Sequence, residues 1–170
     1  MDNLDIYTDL IGKLESKIEE ILKNQDRVLI SVVGKRGTGK SYFGKYIRKK
    51  GVGKFSNRMI SVIDDGLIWL EFLHFFRRRV KIRCSGVDEL KPFLDKLTPR
   101  KKIIFYLNAT PWPRISRADI LLKFVTDEDT RIKRLQKRYK DKPLTLDKAV
   151  NIEDIEDYKI KYTYFLEAKV

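Results

Sequence analysis

A mostly apolar segment that runs directly into a glycine-rich one is the feature that most constrains the fold of this chain. Val28–Val33 reads VLISVV, and residues 34–41, which follow it, read GKRGTGKS. After them, apolar residues return at helical spacing, as Phe43, Tyr46 and Ile47. A short apolar strand of this kind is typical of a parallel sheet that is covered on both faces. We therefore expect a buried strand, a tight turn and a helix, in that order.

The glycine-rich segment matches the pattern G-x-x-x-x-G-K-[ST] in full. Glycines permit the turns by which successive backbone N–H groups point at phosphate oxygens, and the start of the following helix adds its positive end. Lys40 can reach the β- and γ-phosphates, and the Ser41 hydroxyl can bind Mg²⁺, which prefers oxygen ligands. The sequence therefore predicts a site for ATP and Mg²⁺, lined by Gly34, Lys35, Arg36, Gly37, Thr38, Gly39, Lys40, Ser41 and Tyr42.

Apolar periodicity along the rest of the chain alternates between the spacings of strands and helices. Such alternation predicts βαβ units, and hence one α/β domain over residues 1–170: a three-layer α/β/α P-loop NTPase fold with a mostly parallel sheet. Residues 1–26 contain an amphipathic lead-in helix, and about 127–150 form a lid region. The predicted strands are Val28–Val33, Met59–Ile63, Val80–Arg83, Ile103–Leu107 and Ile120–Val125. The predicted helices are Leu4–Lys23, one from Lys40 to near Gly51, Leu67–Arg79, Val87–Leu97, Asp127–Tyr139 and two pieces between Pro143 and the C-terminus.

The charge balance favours anionic partners. The chain has 37 Lys and Arg against 24 Asp and Glu, a net charge of +13, which suits nucleotides, nucleic acid or acidic surfaces. A single cysteine, Cys84, excludes a disulfide framework or a multi-cysteine metal site. With His74 the only histidine, Cys/His catalysis is not expected. No apolar run reaches about 18 residues and no signal pattern is present, so we expect a cytoplasmic protein without a membrane segment.

Two further groups of residues are candidates for contacts with the phosphates. Asp64 and Asp65 follow the second predicted strand, at the edge where ligands bind in α/β sheets, although Asp-Asp-Gly is also a common turn. Arg131, Arg134 and Arg138 share one helical face, which suits the charge of a phosphoryl transition state and equally suits a solvated basic helix.

The loop Asn108–Arg114 follows another apolar strand and is a third candidate. We expect this loop at the same edge of the sheet, where its Arg114 could bind an acceptor phosphate, although the loop could equally be a rigid turn.

These motifs together resemble P-loop nucleoside and nucleotide kinases. Two segments carry the resemblance, residues 34–41 and residues 124–138. The second segment reads FVTDEDTRIKRLQKR and is similar to the strand and the R-L-x-x-R lid helix of cytidylate, adenylate and dephospho-coenzyme A kinases. The resemblance implies that Arg134 and Arg138 contact the base and phosphates of ATP, and that Lys142–Tyr162 form the helices after the lid. The lead-in helix and Asp64-Asp65 are closer to uridine-kinase-like enzymes, in which an Asp meets the acceptor hydroxyl.

The chain also departs from that family. Asn108 ends the strand IIFYL, where a Walker B aspartate often stands, and the residues between Asp65 and Arg100 match nothing in the family. The acceptor therefore stays open between a small anion and a nucleoside-type molecule.

From these features we expect an ATP-dependent phosphotransferase. Its catalytic residues would be Lys40, Asp64, Asp65, Arg134 and Arg138, with Ser41 and Asp64 as magnesium ligands. The alternative is a basic P-loop ATPase or ATP-binding module that acts on nucleic acid, including a polynucleotide 5′-kinase. It is favoured by the net charge and by Arg77, Arg78, Arg79, Lys81 and Arg83, which follow Phe72, Phe75 and Phe76. A third alternative is a degenerate kinase fold that binds nucleotide without turnover.

Overall fold

The computed structural model describes residues 5–64, 67–72, 76–81, 86–151 and 158–170, and for 67–72 and 76–81 it describes the backbone. Its helices are α1 (Asp5–Leu22), α2 (Lys40–Lys50), α3 (Lys91–Asp95), α4 (Glu128–Arg138) and α5 (Pro143–Val150). Its strands are β1 (Val28–Val33), β2 (Ile60–Asp64), β3 (Leu67–Phe72), β4 (Phe76–Lys81), β5 (Ile103–Leu107), β6 (Arg117–Val125) and β7 (Lys161–Lys169).

All seven strands form one sheet in the order β4-β3-β2-β5-β1-β6-β7. Five neighbouring strands of this sheet pair in parallel, namely β2, β5, β1, β6 and β7. Strands β3 and β4 form an antiparallel hairpin that extends the sheet beyond β2. The predicted α/β fold with a mostly parallel sheet is therefore confirmed, and the three-layer arrangement stays a prediction.

Strand β1, the middle one of the five parallel strands, has side chains in a hydrophobic cluster on each face of the sheet. Val28, Ile30 and Val32 join one cluster, and Leu29 and Val33 join the other, as the period of two in a strand requires. The first cluster includes Leu14 and Ile18 of α1 and Phe43 and Ile47 of α2. The second includes Leu90, Leu97, Ile115, Tyr158 and Ile160. Because both faces of β1 are covered, its position and the start of the loop after it are fixed by packing.

Four predicted elements differ from the structure. The segment predicted as a helix at Leu67–Arg79 is instead the hairpin β3–β4, and the short strand expected at Val80–Arg83 begins earlier, at Phe76. The final helical piece is instead β7, an edge strand that pairs with β6 over its whole length. The helix expected over Val87–Leu97 is reduced to α3, with Pro92 in its first turn.

The error at Leu67–Arg79 has a physical cause. Eight of the ten residues from 67 to 76 are apolar and three arginines follow them, so the segment carries no clear period. Its aromatic and β-branched residues favour a strand once a partner strand is present. Within the described ranges, no helix is both long and apolar enough to cross a bilayer. Asp65, His74, Cys84 and Asp157 lie outside the described residues.

Candidate phosphate-binding site

The glycine-rich segment forms a loop between the end of β1 and the start of α2. Gly34 has φ 130°, and a Cβ atom there would lie 2.4 Å from the backbone oxygen of Phe124 in the neighbouring strand β6. Gly39, the residue before α2, has φ 96°, and a Cβ atom there would meet nothing closer than 3.8 Å. Gly34 thus allows close approach to β6, and Gly39 adopts the positive φ with which the chain turns into the helix.

Side chains of the loop hold its shape through its own carbonyls. The Lys40 ammonium donates to the carbonyl oxygens of Gly34 at 2.5 Å and Lys35 at 2.8 Å. The buried Thr38 hydroxyl donates to the same Lys35 oxygen at 2.9 Å. The carbonyls therefore turn toward Lys40. The start of α2 also has the positive end of the helix dipole, which favours an anion.

The strand register brings Asp64 to the same edge of the sheet as the loop. Asp64 pairs with Leu107 of β5, which pairs on its other side with Val32 of β1. Two strand spacings separate β2 from β1, so Asp64 is about 10 Å from the strand that leads into the loop. Its side chain is half-buried.

Asn108 follows β5 at this edge, one strand away from β1. Its backbone N–H donates to Val32 at 3.1 Å, and its side-chain amide nitrogen donates to the Tyr106 hydroxyl at 2.6 Å. Its side-chain oxygen accepts the N–H of Thr110 at 3.0 Å, which closes a tight turn. Asn108 is thus buried, with both ends of its amide engaged.

The three arginines of α4 have different environments, although their spacing predicted one shared face. Arg131 is fully buried, whereas Arg134 and Arg138 are exposed. The Arg131 guanidinium donates to the backbone oxygen of Arg36 in the loop at 3.2 Å, and its Cγ atom lies 3.0 Å from where a Cβ atom on Gly37 would stand. Arg131 therefore braces the loop from behind and is not exposed to a ligand.

Arg134 is the arginine that α4 presents to the front of the loop. Its Nη1 atom lies 3.5 Å from the backbone oxygen of Gly37 and 3.8 Å from where a Cβ atom on Gly39 would stand. Arg138, one turn farther on, lies with its guanidinium 5.5 Å from the centre of the Tyr139 ring. The structure thus brings Arg134 to the loop, and Arg138 lies farther along α4.

The start of α4 is fixed by a side-chain cap. The Asp127 carboxylate accepts the N–H of Thr130 at 2.8 Å, and this hydrogen bond lowers the pKa of Asp127 below its usual range. The hydrogen bond from Arg131 likewise lowers the pKa of Glu128.

Arg114, the third sequence candidate, is not part of this site. It lies three residues before β6 begins, and β6 runs parallel to β1, so the loop has left the edge that carries residues 34–41. Its backbone oxygen accepts the N–H of Leu90, and the adjoining Ser116 is held by the Asp88 carboxylate at 2.6 and 2.7 Å. The loop therefore anchors the segment before α3.

Sequence reasoning missed the contribution of α1 to this region. Tyr7 is 4% exposed and packs against the rings of Phe43 and Tyr46 of α2, with centroids 5.1 and 5.3 Å away. Burial raises the pKa of Tyr7, and the nearby Tyr42 adds to the effect, whereas Arg134 opposes it. The sequence signal for this packing was Tyr7 itself, an aromatic residue on the apolar face of the predicted lead-in helix.

Of the predicted site residues, 34–42 and Arg134 lie together, Asp64 lies at the same edge, and Asp65 lies outside the described residues. Compared with known proteins, the chain matches no model of a protein family and no curated protein sequence. The kinase resemblance therefore rests on the motifs of the chain itself, and membership of that family stays a prediction.

Proposed function

We propose that the protein binds ATP with Mg²⁺ at residues 34–42 and transfers the γ-phosphate to a small anionic or nucleoside-type acceptor. The observation that carries the proposal is the loop geometry at the start of α2. The Lys40 ammonium donates to the carbonyls of Gly34 and Lys35, so the loop folds around the start of α2, whose positive helix end attracts phosphate oxygens.

The strand order supports a ligand at this position. The chain leaves β1 through α2 and returns as β2, which lies two places from β1 in one direction along the sheet. The chain that leaves β5 passes β1 and returns as β6, which lies in the opposite direction. In open α/β sheets, ligands bind at the carboxyl ends of strands where the connections diverge in this way. The loop at residues 34–39 follows directly from the strand at that point.

Three side chains would act on the reacting groups. Lys40 would neutralise charge on the β- and γ-phosphates, and Arg134 would stabilise the charge that spreads over the equatorial oxygens of the transferred group. The acceptor oxygen would form a bond to the γ-phosphorus while the bond to the β–γ bridging oxygen breaks and ADP leaves. Asp64, about 10 Å from β1 on the same edge, would orient the acceptor hydroxyl and take its proton.

The residues present are suitable for a magnesium ion that is held largely by the substrate. Ser41 is exposed in the first turn of α2, and Asp64 offers a carboxylate at the same edge. The part of the chain that the structure describes contains no group of three His, Cys, Asp or Glu that could form a metal cage. Mg²⁺ commonly binds in this manner, through one or two protein oxygens and the phosphates, and neutralises developing charge when bound.

The proposal is tested by following label from γ-labelled ATP, with Mg²⁺, to nucleosides, nucleoside monophosphates and dephospho-coenzyme A. The test variant is Lys40→Ala, and the matched control is Lys45→Ala, because Lys45 is exposed on the same helix. We expect label on one acceptor class, a loss of about 100-fold or more in rate for Lys40→Ala, and little change for Lys45→Ala. A thermal melt of each variant shows whether the loop change has altered folding.

ATP binding is measured separately by calorimetry. If the wild-type protein does not bind ATP, the proposal is wrong in its first step. If ATP binds and label appears only as inorganic phosphate, the transfer step is wrong and an ATPase replaces the kinase. Label on an acceptor that survives Lys40→Ala would assign the chemistry to another site.

A further inference from the structure

The hairpin β3–β4 has two faces of opposite character. Residues that stand opposite each other in an antiparallel pair share a face, and the register therefore assigns each position. One face contains Ile68, Leu70, Phe72, Phe76, Arg78 and Val80. The other contains Leu67, Trp69, Glu71, Arg77, Arg79 and Lys81. We call the second set the basic face.

The basic face concentrates positive charge in a regular row. Arg77, Arg79 and Lys81 occupy alternate positions of β4, and Glu71 is the single acidic residue on that face. Alternate positions on a strand are about 7 Å apart, which is close to the spacing of successive phosphates along an extended nucleic-acid strand. Arginine and lysine in such a row match a phosphodiester backbone in charge and in repeat.

The same face contains a tryptophan at its centre. Trp69 stands directly opposite Arg79 in the register, with Glu71 and Leu67 two positions away on either side. A basic track combined with an aromatic side chain on which bases stack is the arrangement that binds single strands, because every base has a stacking surface. In a duplex the bases are already stacked on each other, so the tryptophan would add nothing to the binding affinity. The sequence suggested Phe72 and Phe76 as the aromatic partners, but the register assigns both to the opposite face.

The hairpin also begins at the edge of the sheet that carries the phosphate-binding loop. Asp64 of β2 and Leu67 of β3 pair with each other, so β3 starts where β2 ends. We propose that the basic face of β3–β4 binds single-stranded nucleic acid, with Arg77, Arg79 and Lys81 on the phosphates and Trp69 under a base. This inference goes beyond the proposed phosphotransfer and does not depend on it.

The experiment measures binding of the full chain to a labelled oligothymidylate of about 15 nucleotides by fluorescence anisotropy, in about 50 to 200 mM salt and without ATP. A duplex of the same length and vesicles that contain anionic lipid are the competitors. We expect tighter binding to the single strand than to the duplex or the vesicles. The double variant Arg77→Gln/Arg79→Gln should weaken binding at least about ten-fold at low salt, and should reduce the logarithmic salt slope by about 1.4, about 0.7 for each phosphate contact.

Two controls separate this face from the general positive charge of the protein. Lys49→Gln/Lys50→Gln removes the same two charges from the exposed last turn of α2, and Arg78→Gln changes the opposite face of the hairpin. We expect both controls to weaken binding less than about three-fold and to leave the salt slope within about 0.7 of the wild-type value.

Trp69 is tested in two ways, by its fluorescence in place and by its replacement. The chain has two tryptophans, and Trp112→Phe leaves Trp69 as the single emitter. Bound single strand should quench its fluorescence because a base stacks on the ring, and Trp69→Leu should weaken binding by about 5- to 150-fold. If Trp69→Leu fails to fold, the quenching measurement still decides.

Several results would overturn the inference: no binding of the single strand at low salt, preference for the duplex or the vesicles, equal weakening by the α2 control, or unquenched Trp69 in the complex. Because no ATP is present, any of these leaves the proposed phosphotransfer untouched. Conversely, hairpin-dependent binding by a protein that fails to bind ATP would support the basic face and reject the nucleotide site.

Discussion

Replacing Arg131 with alanine should destabilise the protein more than any other single arginine substitution on α4. The Arg131 side chain is 1% exposed and donates to three backbone oxygens. These belong to Arg36 in the glycine-rich loop at 3.2 Å, and to Ala149 and Val150 at the end of α5 at 3.2 and 2.8 Å. It also binds the carboxylate of Glu128. The change therefore removes a buried cation that joins the loop, α4 and α5.

The size of the effect follows from what Arg131→Ala leaves behind. The variant leaves three carbonyls without a charged donor and a cavity that backbone movement fills only in part. We expect a loss of about 3 to 5 kcal/mol in the free energy of unfolding, which is a large share of the 5 to 15 kcal/mol typical of a domain. In a chain of this length the melting temperature would fall by roughly 6 to 20 °C.

Replacing Glu128, the acidic partner of Arg131, should change the free energy of unfolding much less. Glu128 is 53% exposed, so Glu128→Gln keeps a hydrogen-bond acceptor and loses a charge that solvent already screens. We expect less than about 1 kcal/mol from that change. Arg138→Ala removes an exposed arginine of the same helix and should cost within about 0.5 kcal/mol.

Urea denaturation of the wild-type protein and the three variants measures these differences, and calorimetry with ATP measures whether the loop is affected. Because Arg131 holds the Arg36 carbonyl, Arg131→Ala should also weaken ATP binding at temperatures where the variant is folded. A cost for Arg131→Ala below about 1 kcal/mol, or one equal to that of Arg138→Ala, would refute the assignment of Arg131 as a buried brace.

Three further predictions concern the loop, the α4 cap and the core. Gly34→Ala should destabilise the protein and abolish ATP binding, because its Cβ would lie 2.4 Å from the Phe124 oxygen; a thermal melt and calorimetry check this. Asp127→Ala should lower the melting temperature by roughly 2 to 4 °C and Asp129→Ala should not. Because the pKa of Asp127 is lowered in the folded state, its contribution is present above the unfolded value of about 3.9 and is lost as the pH falls through the folded value, so the two variants should converge in stability in acid. Phe43→Ala should cost about 3 to 5 kcal/mol in urea denaturation, because the ring is fully buried among three other aromatic rings.

The elements that could be predicted from the sequence are those with a strong local pattern. The continuous apolar runs of β1 and β5, the glycine-rich loop and the amphipathic α1, α2 and α4 all appear in the structure near their expected bounds. Each is specified by its own residues: glycine at Gly34 and Gly39 for the turn, and Asp127 ahead of α4 for its start. The strand β7 could also have been recognised, because Tyr162, Tyr164, Leu166 and Ala168 alternate with polar residues at most intervening positions.

Local sequence alone was sufficient to specify an α/β chain with a glycine-rich loop after its first strand, because these features depend on neighbours in the chain. The tertiary structure decided the matters that depend on distant partners. It paired Leu67–Phe72 with Phe76–Lys81 as strands, although an apolar run followed by Arg77, Arg78 and Arg79 showed no period of two. It also buried Arg131 while Arg134 stayed exposed three residues away, because Arg131 faces the carbonyls of the loop and of α5. Spacing along a helix fixes which residues share a face, but only the packing of other elements against that face determines which of them is covered.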